Sequence, residues 1–198
     1  VGYDLVSLLT GSEGTLAVVT EAVLRLMPLP PARKTIIALF DDLPKSGATV
    51  GRILDAGTIP AKIELLDNWV VRSINRITGM DLPEDAAAML MFECDGREEA
   101  VAHDSQQVLD VCREVGATRV IVAEDQAQAQ AYWKARSAGF AAVFGAAPTV
   151  LAEDVTVPRS RMAEFIERVI EICRKADLEV TVIGHAGDGN LHPSVMTD

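Results

Sequence analysis

Two of the three histidines, His185 and His192, lie close together near the end of the chain, in a segment that also holds Gly184, Gly187 and Gly189. Neutral imidazoles are common ligands of zinc and similar divalent metals, although a metal site would need a third ligand. The alternative is a pair of hydrogen-bonded, inert histidines at the end of a strand. The glycines favour a functional site, because so tight a loop implies that another group approaches the backbone closely.

The sequence around the histidines also predicts how they come together. The apolar, β-branched run Val180–Ile183 leads into the loop and predicts a buried strand. On one continuous strand, positions seven apart such as 185 and 192 would face opposite sides of the sheet. The Gly-Asp-Gly turn lets the chain double back, so both imidazoles can converge on one point. Asp188, inside this turn, is expected to hydrogen-bond the backbone.

A second motif lies near the start of the chain, at Gly11-Ser12-Glu13-Gly14-Thr15. A glycine-flanked turn can direct backbone N–H groups at a phosphate or a flavin ring, with the two hydroxyl groups assisting. Glycine and serine are also the ordinary residues of turns, so a plain turn is the alternative.

A third motif is Trp133 and Arg136, which lie one turn apart on a predicted helix and therefore share a face. A guanidinium fork that is backed by an aromatic ring suits a substrate carboxylate. The alternative is a surface arginine lying over a half-buried tryptophan.

The acidic residues indicate less. Glu64 lies on a predicted strand and could be functional, but we expect it at a sheet edge. Glu153 and Asp154 are adjacent on a predicted strand, so they point to opposite faces and cannot form a carboxylate pair. No Ser–His–Asp or Cys–His arrangement follows from the spacing, and the glycines near 184 are not in the order of a dinucleotide-binding loop.

The bulk composition limits the class of protein. A chain of 198 residues can bury the core of one domain, or of one domain with a piece of another. The net charge of −11 argues against binding to nucleic acid. No apolar run approaches the roughly 20 residues of a membrane span, and no signal peptide is visible. Cys94, Cys112 and Cys173 are widely spaced, which predicts reduced, buried thiols and a cytoplasmic location.

Strands and helices alternate after a proline-rich linker at residues 28–31. Before it, Leu5–Thr10 is strand-like and Leu16–Met27 continues after the glycine turn. The alternation allows a parallel doubly wound sheet. Several short strands alternate polar with apolar residues, which favours an α+β fold: a ferredoxin-like antiparallel sheet of duplicated β-α-β units, with helices on one face. The predicted strands are Thr35–Phe40, Ala61–Leu66, Ala88–Glu93, Thr118–Ala123, Val150–Val157 and Glu179–Ile183, and the predicted helices are Pro44–Ala56, Asn68–Thr78, Glu98–Val115, Ala127–Phe144 and Arg161–Ala176.

Together, the three motifs resemble those of one family. Asp4–Leu16, followed by Val18–Ala22, resembles the closing segment of the flavin domain in FAD-linked oxidases of the vanillyl-alcohol oxidase type. Gly184–His192 resembles the metal-site loop of their C-terminal domain, and Trp133 and Arg136 lie between, as that family's substrate arginine does. Three motifs in the correct order identify the chain as a member of this family, which contains D-lactate dehydrogenases, D-2-hydroxyglutarate dehydrogenase and the large subunit of bacterial glycolate oxidase.

The resemblance implies two parts: residues 1–30 as the end of an FAD-binding domain, and residues 31–198 as the substrate domain, truncated at its C-terminus. It implies hydride transfer from a 2-hydroxy acid to flavin N5, with a divalent metal, zinc by expectation, polarising the substrate hydroxyl. The catalytic base and the third metal ligand are expected downstream of this chain, and the pyrophosphate loop upstream. The residues carried over are Gly11, Ser12, Glu13, Gly14 and Thr15 against FAD, Arg136 and Ser194 against the substrate, and His185 and His192 as metal ligands.

Departures from the family pattern bear on the substrate. Ala17 replaces a further glycine, and Ser194 replaces an asparagine of some relatives. Phe140 and Ala152 stand where 2-hydroxyglutarate enzymes carry threonine and lysine for a second carboxylate. The resemblance therefore implies a small monocarboxylate such as glycolate or D-lactate.

The expected partners are a small 2-hydroxy acid and an electron acceptor that the sequence does not identify. Peripheral membrane or subunit association and a homodimer stay open. We expect the fragment alone to be inactive and to bind FAD poorly. One alternative is a catalytically silent ferredoxin-like association module. The other is a metal-dependent hydrolase, which would need a third ligand and a base within this chain.

Overall fold

The computed structural model describes residues 2–145 and 147–198, and their central feature is one eight-stranded sheet whose strands differ in length. The strands are β1 (Ala32–Phe40), β2 (Lys62–Asp67), β3 (Ala88–Gly96), β4 (Arg119–Val122), β5 (Thr149–Ala152), β6 (Val155–Thr156), β7 (Glu179–His185) and β8 (Asn190–Thr197). The helices are α1 (Leu5–Leu9), α2 (Leu43–Asp55), α3 (Asn68–Thr78), α4 (Glu98–Val115), α5 (Gln126–Phe144) and α6 (Met162–Lys175), with a 3₁₀ turn at Arg159–Arg161.

Aspartates begin four of the described helices, including α1 with Asp4. The side chains of Asp42, Asp67 and Asp125 accept hydrogen bonds from the backbone N–H three residues later, at the starts of α2, α3 and α5. Each cap satisfies one of the N–H groups that a helix start leaves without a partner. Gly79 and Gly116 end α3 and α4 in the left-handed conformation.

The strand order β4-β1-β3-β2-β7-β8-β5 follows from interleaved β-α-β units, with β6 pairing β8 beside this path. The strands β1 and β2 are both antiparallel to β3 and are joined by α2, while β3 and β4 are both antiparallel to β1 and are joined by α4. This split arrangement is the ferredoxin-like one. The antiparallel α+β fold is therefore confirmed.

The prediction that the helices cover one face is wrong. Along β1, Ile36, Ala38 and Phe40 pack into a cluster under α2, α4 and α6, whereas Ile37 and Leu39 pack into a second cluster under α3 and α5. The central strands are buried on both faces, as β1 and β3 are over most of their length. The polar–apolar alternation that suggested an open face comes from 151–157, which belongs to the sheet's periphery.

The predicted strand Val150–Val157 is interrupted. Its two pieces, β5 and β6, pair with β8 in one continuous register, and the gap at 153–154 lies opposite Pro193 and His192. The Glu153 N–H donates to the Pro193 carbonyl at 3.0 Å, but Pro193 has no N–H to return. The ladder therefore breaks for one step.

The N-terminal segment also differs from its prediction. Leu5–Thr10 reads as a strand, yet Leu5–Leu9 is a short helix, because Asp4 accepts hydrogen bonds from the N–H and the hydroxyl of Ser7. Leu16–Met27 has no regular structure, and its large apolar side chains are exposed. Within the described residues, this segment pairs with no strand of the sheet. The predicted boundary between residues 30 and 31 stays a prediction.

The three cysteines are free and buried, as predicted. Burial raises the pKa of Cys94 to about 11 and that of Cys112 to about 12, so both thiols stay protonated. Among the described residues, no helix combines the length and the apolar character that crossing a membrane requires.

Asp67, the last residue of β2, links this strand to α3 and β7 through its side chain. Its carboxylate accepts from the Val70 N–H at 2.9 Å, from the Thr181 hydroxyl at 2.7 Å and from the Val182 N–H at 2.7 Å, while only 7% of the residue is exposed. Burial opposes these hydrogen bonds and raises the pKa of Asp67 from 3.8 to about 6.

This shift predicts a pH-dependent stability. The native carboxyl group binds its proton more tightly than the unfolded one, so the free energy of unfolding falls as pH rises from about 4 to about 6. At roughly 1.4 kcal/mol per pKa unit, the contribution is about 3 kcal/mol. Urea denaturation of the wild type and of Asp67→Asn across this range measures it. Asp67→Asn is less stable throughout but lacks this slope, and an equal slope in both proteins would contradict the assignment.

Candidate functional site

The hairpin of β7 and β8 brings the two histidines onto one face of the sheet. Ile183 pairs with His192 and His185 pairs with Asn190, so the histidines are diagonal neighbours across the ladder. Their ring centroids lie 5.5 Å apart, with the rings perpendicular. The predicted convergence of the two imidazoles is confirmed.

Glu64 lies beside His185. The pairing of β2 with β7, Leu65 with Gly184 and Leu66 with Ile183, continues to these two residues. The Glu64 Oε1 atom lies 2.8 Å from His185 Nδ1. The prediction of an edge position is wrong, because β2 lies between β3 and β7. A glutamate between Ile63 and Leu65, both buried, is the sequence feature that could have identified it.

Arg136 reaches the same carboxylate from above the sheet. Its Nε donates to Glu64 Oε2 at 3.0 Å, and its Nη2 lies 2.8 Å from the same oxygen. The arginine is only 8% exposed. One turn further along α5, a Cβ on Gly139 would lie 2.7 Å from Ile183 Cδ1. The missing side chain lets α5 approach β7 closely, which holds Arg136 over Glu64.

The next residue, Phe140, completes the row along α5. Its ring centroid lies 5.2 Å from that of His192 and 6.0 Å from that of Phe144. The helix therefore sets a cation over the carboxylate of β2 and an aromatic ring over the histidine of β8. One side of the site is charged and the other is apolar.

Two polar atoms of this cluster are buried without a hydrogen-bond partner in the described part of the chain. They are Arg136 Nη2 and His192 Nε2. Nη2 is near Glu64 Oε2 but is not aligned for a hydrogen bond, which Nε makes instead. An unpaired buried donor or acceptor costs about 1–3 kcal/mol. The arginine nitrogen suits an oxygen-rich ligand, and the imidazole nitrogen suits a metal.

His192 is held neutral by its surroundings. Burial lowers the pKa of its imidazole below the ordinary 6.5, and the nearby His185 and Arg136 lower it further. Asp154 opposes this shift, but its carboxylate lies 3.6 Å from Nδ1 and is 75% exposed. A neutral imidazole is the form that binds a metal.

Ser194 and Ala152 lie on the same side of the sheet as His192. Ser194 follows His192 by two residues on β8 and pairs with Ala152 of β5. The Ser194 hydroxyl is buried and donates to the His192 carbonyl at 3.4 Å. Its predicted contact with substrate stays a prediction.

Trp133 does not back Arg136 as the sequence suggests. Its Nε1 donates to the Thr35 hydroxyl at 3.1 Å, and Lys62 Nζ lies 4.7 Å from its ring centroid. Trp133 and Lys62 line a cleft of about 960 Å³ that includes neither Arg136 nor the histidines. Trp133 therefore contacts Lys62 of β2, whereas Arg136 contacts Glu64 of the same strand.

The predicted FAD-contacting residues lie apart from this cluster. Gly11, Ser12, Glu13, Gly14 and Thr15 form a turn whose described hydrogen bonds are local, including that from the Thr15 hydroxyl to the Ser12 carbonyl at 2.6 Å. The structure gives no contact between this turn and the histidines. Their contact with FAD stays a prediction.

The metal site likewise stays a prediction. In residues 2–145 and 147–198, no group of three or more histidine, cysteine, aspartate or glutamate side chains could hold a metal ion. The pair of histidines supplies two ligands, and the third ligand stays an expectation from the resemblance.

The glycine loop is tight for an internal reason. A Cβ on Gly184 would lie 2.5 Å from the Asn190 carbonyl oxygen and 2.7 Å from the Leu191 Cα. Gly189, at φ +74°, would meet the Val157 carbonyl. The group that approaches the backbone is the protein's own chain, so the glycines by themselves do not indicate a ligand. They permit the hairpin that sets the histidines.

Comparisons with known proteins give the family to which this fold and this site belong. Residues 29–198 match the family model of FAD linked oxidases, C-terminal domain, and the chain belongs to this family. It is similar to the glycolate oxidase subunit GlcD of Bacillus subtilis (strain 168), 40% identical over 100% of this chain and 42% of that protein. It is also similar to the mitochondrial D-lactate dehydrogenase [cytochrome] of Arabidopsis thaliana, 35% identical over 100% of this chain and 35% of that protein.

Among solved structures, alkyldihydroxyacetonephosphate synthase shares the fold, with a TM-score of 0.65 and 15% identity over 98% of this chain and 42% of that one. The chain spans about two fifths of the length of the Bacillus subtilis glycolate oxidase subunit. The family assignment made from the three motifs is confirmed.

The glycine contacts give a matched pair of substitutions. Gly184→Ala places a methyl group against backbone that cannot move aside, so we expect a loss of about 1–3 kcal/mol in unfolding free energy. Gly187→Ala meets only the Ile63 side chain and backbone at 3.5 Å or more, an ordinary contact. It should stay within about 0.5 kcal/mol of wild type. Urea denaturation compares them, and equal losses would refute the close approach at Gly184.

Proposed function

We propose that this chain provides the substrate side of an FAD-dependent enzyme that oxidises a small 2-hydroxy acid to the 2-oxo acid. The observation that carries the proposal is a pair of buried nitrogens that make no hydrogen bond in the described structure: Arg136 Nη2, which is ion-paired with Glu64, and His192 Nε2. A 2-hydroxy acid has a carboxylate for a guanidinium and a hydroxyl for a metal centre, so it matches both groups.

Arg136 would bind the substrate carboxylate. Its guanidinium is buried and stays charged, and a planar fork can make two parallel hydrogen bonds to a carboxylate. The Glu64 carboxylate compensates the buried charge without using every N–H of the fork.

His185 and His192 would hold a divalent metal, for which we propose zinc. The residues fit this role, because His192 is neutral with Nε2 unpartnered in the described structure, and His185 engages Glu64 through Nδ1 only. When bound, the metal supplies a Lewis acid for the substrate hydroxyl, and FAD supplies the hydride acceptor. Gly11, Ser12, Glu13, Gly14 and Thr15 would contact FAD.

Glycolate and D-lactate are the substrates we favour. The relatives are named for glycolate and D-lactate, which both carry a single carboxylate. The apolar ring of Phe140 borders His192, and Ala152 provides no cation for a second carboxylate. We also propose a cytoplasmic location on the evidence of the three free, buried cysteines.

The proposal is tested with the full-length protein that contains this chain, purified with FAD. Dye reduction is measured with glycolate, D-lactate, L-lactate and D-2-hydroxyglutarate, with and without a chelator. We expect turnover with glycolate or D-lactate that is lost on chelation and restored by zinc. Turnover that survives complete metal removal would contradict the metal assignment, and no turnover with any acid would contradict the substrate class.

Arg136→Lys tests the carboxylate contact. Lysine keeps a positive charge beside Glu64 but loses the planar fork, so KM for the acid should rise about tenfold or more, which corresponds to about 1.4 kcal/mol. Arg113→Lys is the control, because Arg113 is exposed and its ion pair within the described structure is with the exposed Asp110. If Arg136→Lys and the control have equal KM and kcat values, the alternative of a catalytically silent association module gains support.

A further inference from the structure

One carboxylate contacts both functional parts of the proposed site, and each of its oxygens has a separate task. Glu64 Oε1 lies 2.8 Å from Nδ1 of His185, and Oε2 accepts from Nε of Arg136 at 3.0 Å with Nη2 at 2.8 Å. The glutamate side chain is 13% exposed and that of Arg136 is 9% exposed. The contact between Glu64 and Arg136 is therefore largely shielded from water, and charged hydrogen bonds are strongest in such surroundings.

We propose that Glu64 is a positioning residue that orients the metal-binding His185 and the substrate-binding Arg136 together. The inference rests on the proposed function, since it assigns Glu64 a role in that same site. It extends the site to a residue on a third strand, β2, which neither the loop motif nor the helix motif includes.

The effect on His185 follows from the chemistry of a carboxylate. An ionised carboxylate only accepts hydrogen bonds, so Oε1 requires the proton on Nδ1. In the neutral ring, the lone pair is then on Nε2, the nitrogen that remains for a metal. A carboxylate behind a ligating histidine fixes both its tautomer and its ring orientation. Because the His185 side chain is 48% exposed, little else restrains it.

The effect on Arg136 is geometric. A guanidinium has five N–H donors in a rigid plane, and Glu64 Oε2 occupies the edge that carries Nε. Fixing that edge orients the whole plane, so that Nη1 and Nη2 are held in one direction. A substrate carboxylate can then bind to a fork that is already oriented, which reduces the entropy lost on binding.

A neighbouring pair on the same sheet shows what a merely structural glutamate looks like. Glu93 of β3 is as buried as Glu64, at 8% side-chain exposure, and pairs with Lys62 at 2.8 Å. Lys62 is 45% exposed and belongs to neither the histidine pair nor the arginine contact. Glu93→Gln is therefore a matched control for Glu64→Gln, because both remove one buried, ion-paired carboxylate from adjacent strands.

The test uses the full-length, FAD-loaded protein labelled with ¹⁵N only in histidine, with His185→Gln to assign the His185 signals. Zinc affinity is measured by competition with a chelator after metal removal, and the ring nitrogen shifts are measured on the metal-free protein. The amide of Glu64→Gln accepts with one oxygen only, so it cannot accept hydrogen bonds from both His185 and Arg136 through separate oxygens as the carboxylate does. We expect zinc binding to weaken 10–100-fold and the His185 nitrogen shifts to change. In Glu93→Gln both should match wild type.

Wild-type zinc affinity and wild-type His185 shifts in Glu64→Gln would overturn the inference, as would equal changes in Glu93→Gln. The dye-reduction assay separates failure of this inference from failure of the proposed function. If the wild type oxidises no 2-hydroxy acid, the proposed function fails, while the His185 shifts still decide whether Glu64 positions the ring. Should Glu64→Gln not fold, Glu64→Asp withdraws the carboxylate by one methylene, and the same shift change is expected.

Discussion

The backbone pairing of β7 with β2 on one side and β8 on the other is the constraint on which the site depends. Glu64, His185 and His192 come from three strands and share one face because these two registers are fixed together. A slip of one residue in either ladder would turn a member of the cluster to the opposite face. Gly184 lies at the centre of this pairing, opposite both Leu65 and Leu191, where backbone leaves no room for a side chain.

The helix above the sheet carries the second half of the arrangement. Along α5, Trp133 lies by Lys62, Arg136 by Glu64 and Phe140 by His192, so the helix contacts β2 at two successive turns and β8 at the next. The close approach at Gly139 sets the height of the helix over all of them. A buried arginine and glutamate are costly to desolvate, and the compensation here comes from their mutual contact and from burial of the apolar side chains around them.

How much the sequence predicts depends on the range of the interaction. The two histidines could be placed together because strand, turn and doubling back all lie within a dozen residues. Most helices and strands beyond residue 31 agree with their predictions for the same reason, since caps such as Asp67 and Gly79 act locally. The position of Glu64 between two apolar residues marks it as unusual, but the sequence could not give its contact with His185, because the two are distant in sequence and the register joining them is a property of the whole sheet. The sequence does not predict the second helical layer, because the alternating strand that suggests an open face lies at the periphery and the central strands are buried on both faces.

The break at Pro193 has a consequence for the outer boundary of the sheet. Within the described residues, β5 and β6 form the border beside β8, and neither is long. An unbroken strand there would present a row of free backbone donors and acceptors on which another chain could assemble. The proline divides that row into two short pieces, and charged Glu153 and Asp154 occupy the gap. The residue that interrupts the ladder beside the histidine thus also divides the row of free backbone groups along this border.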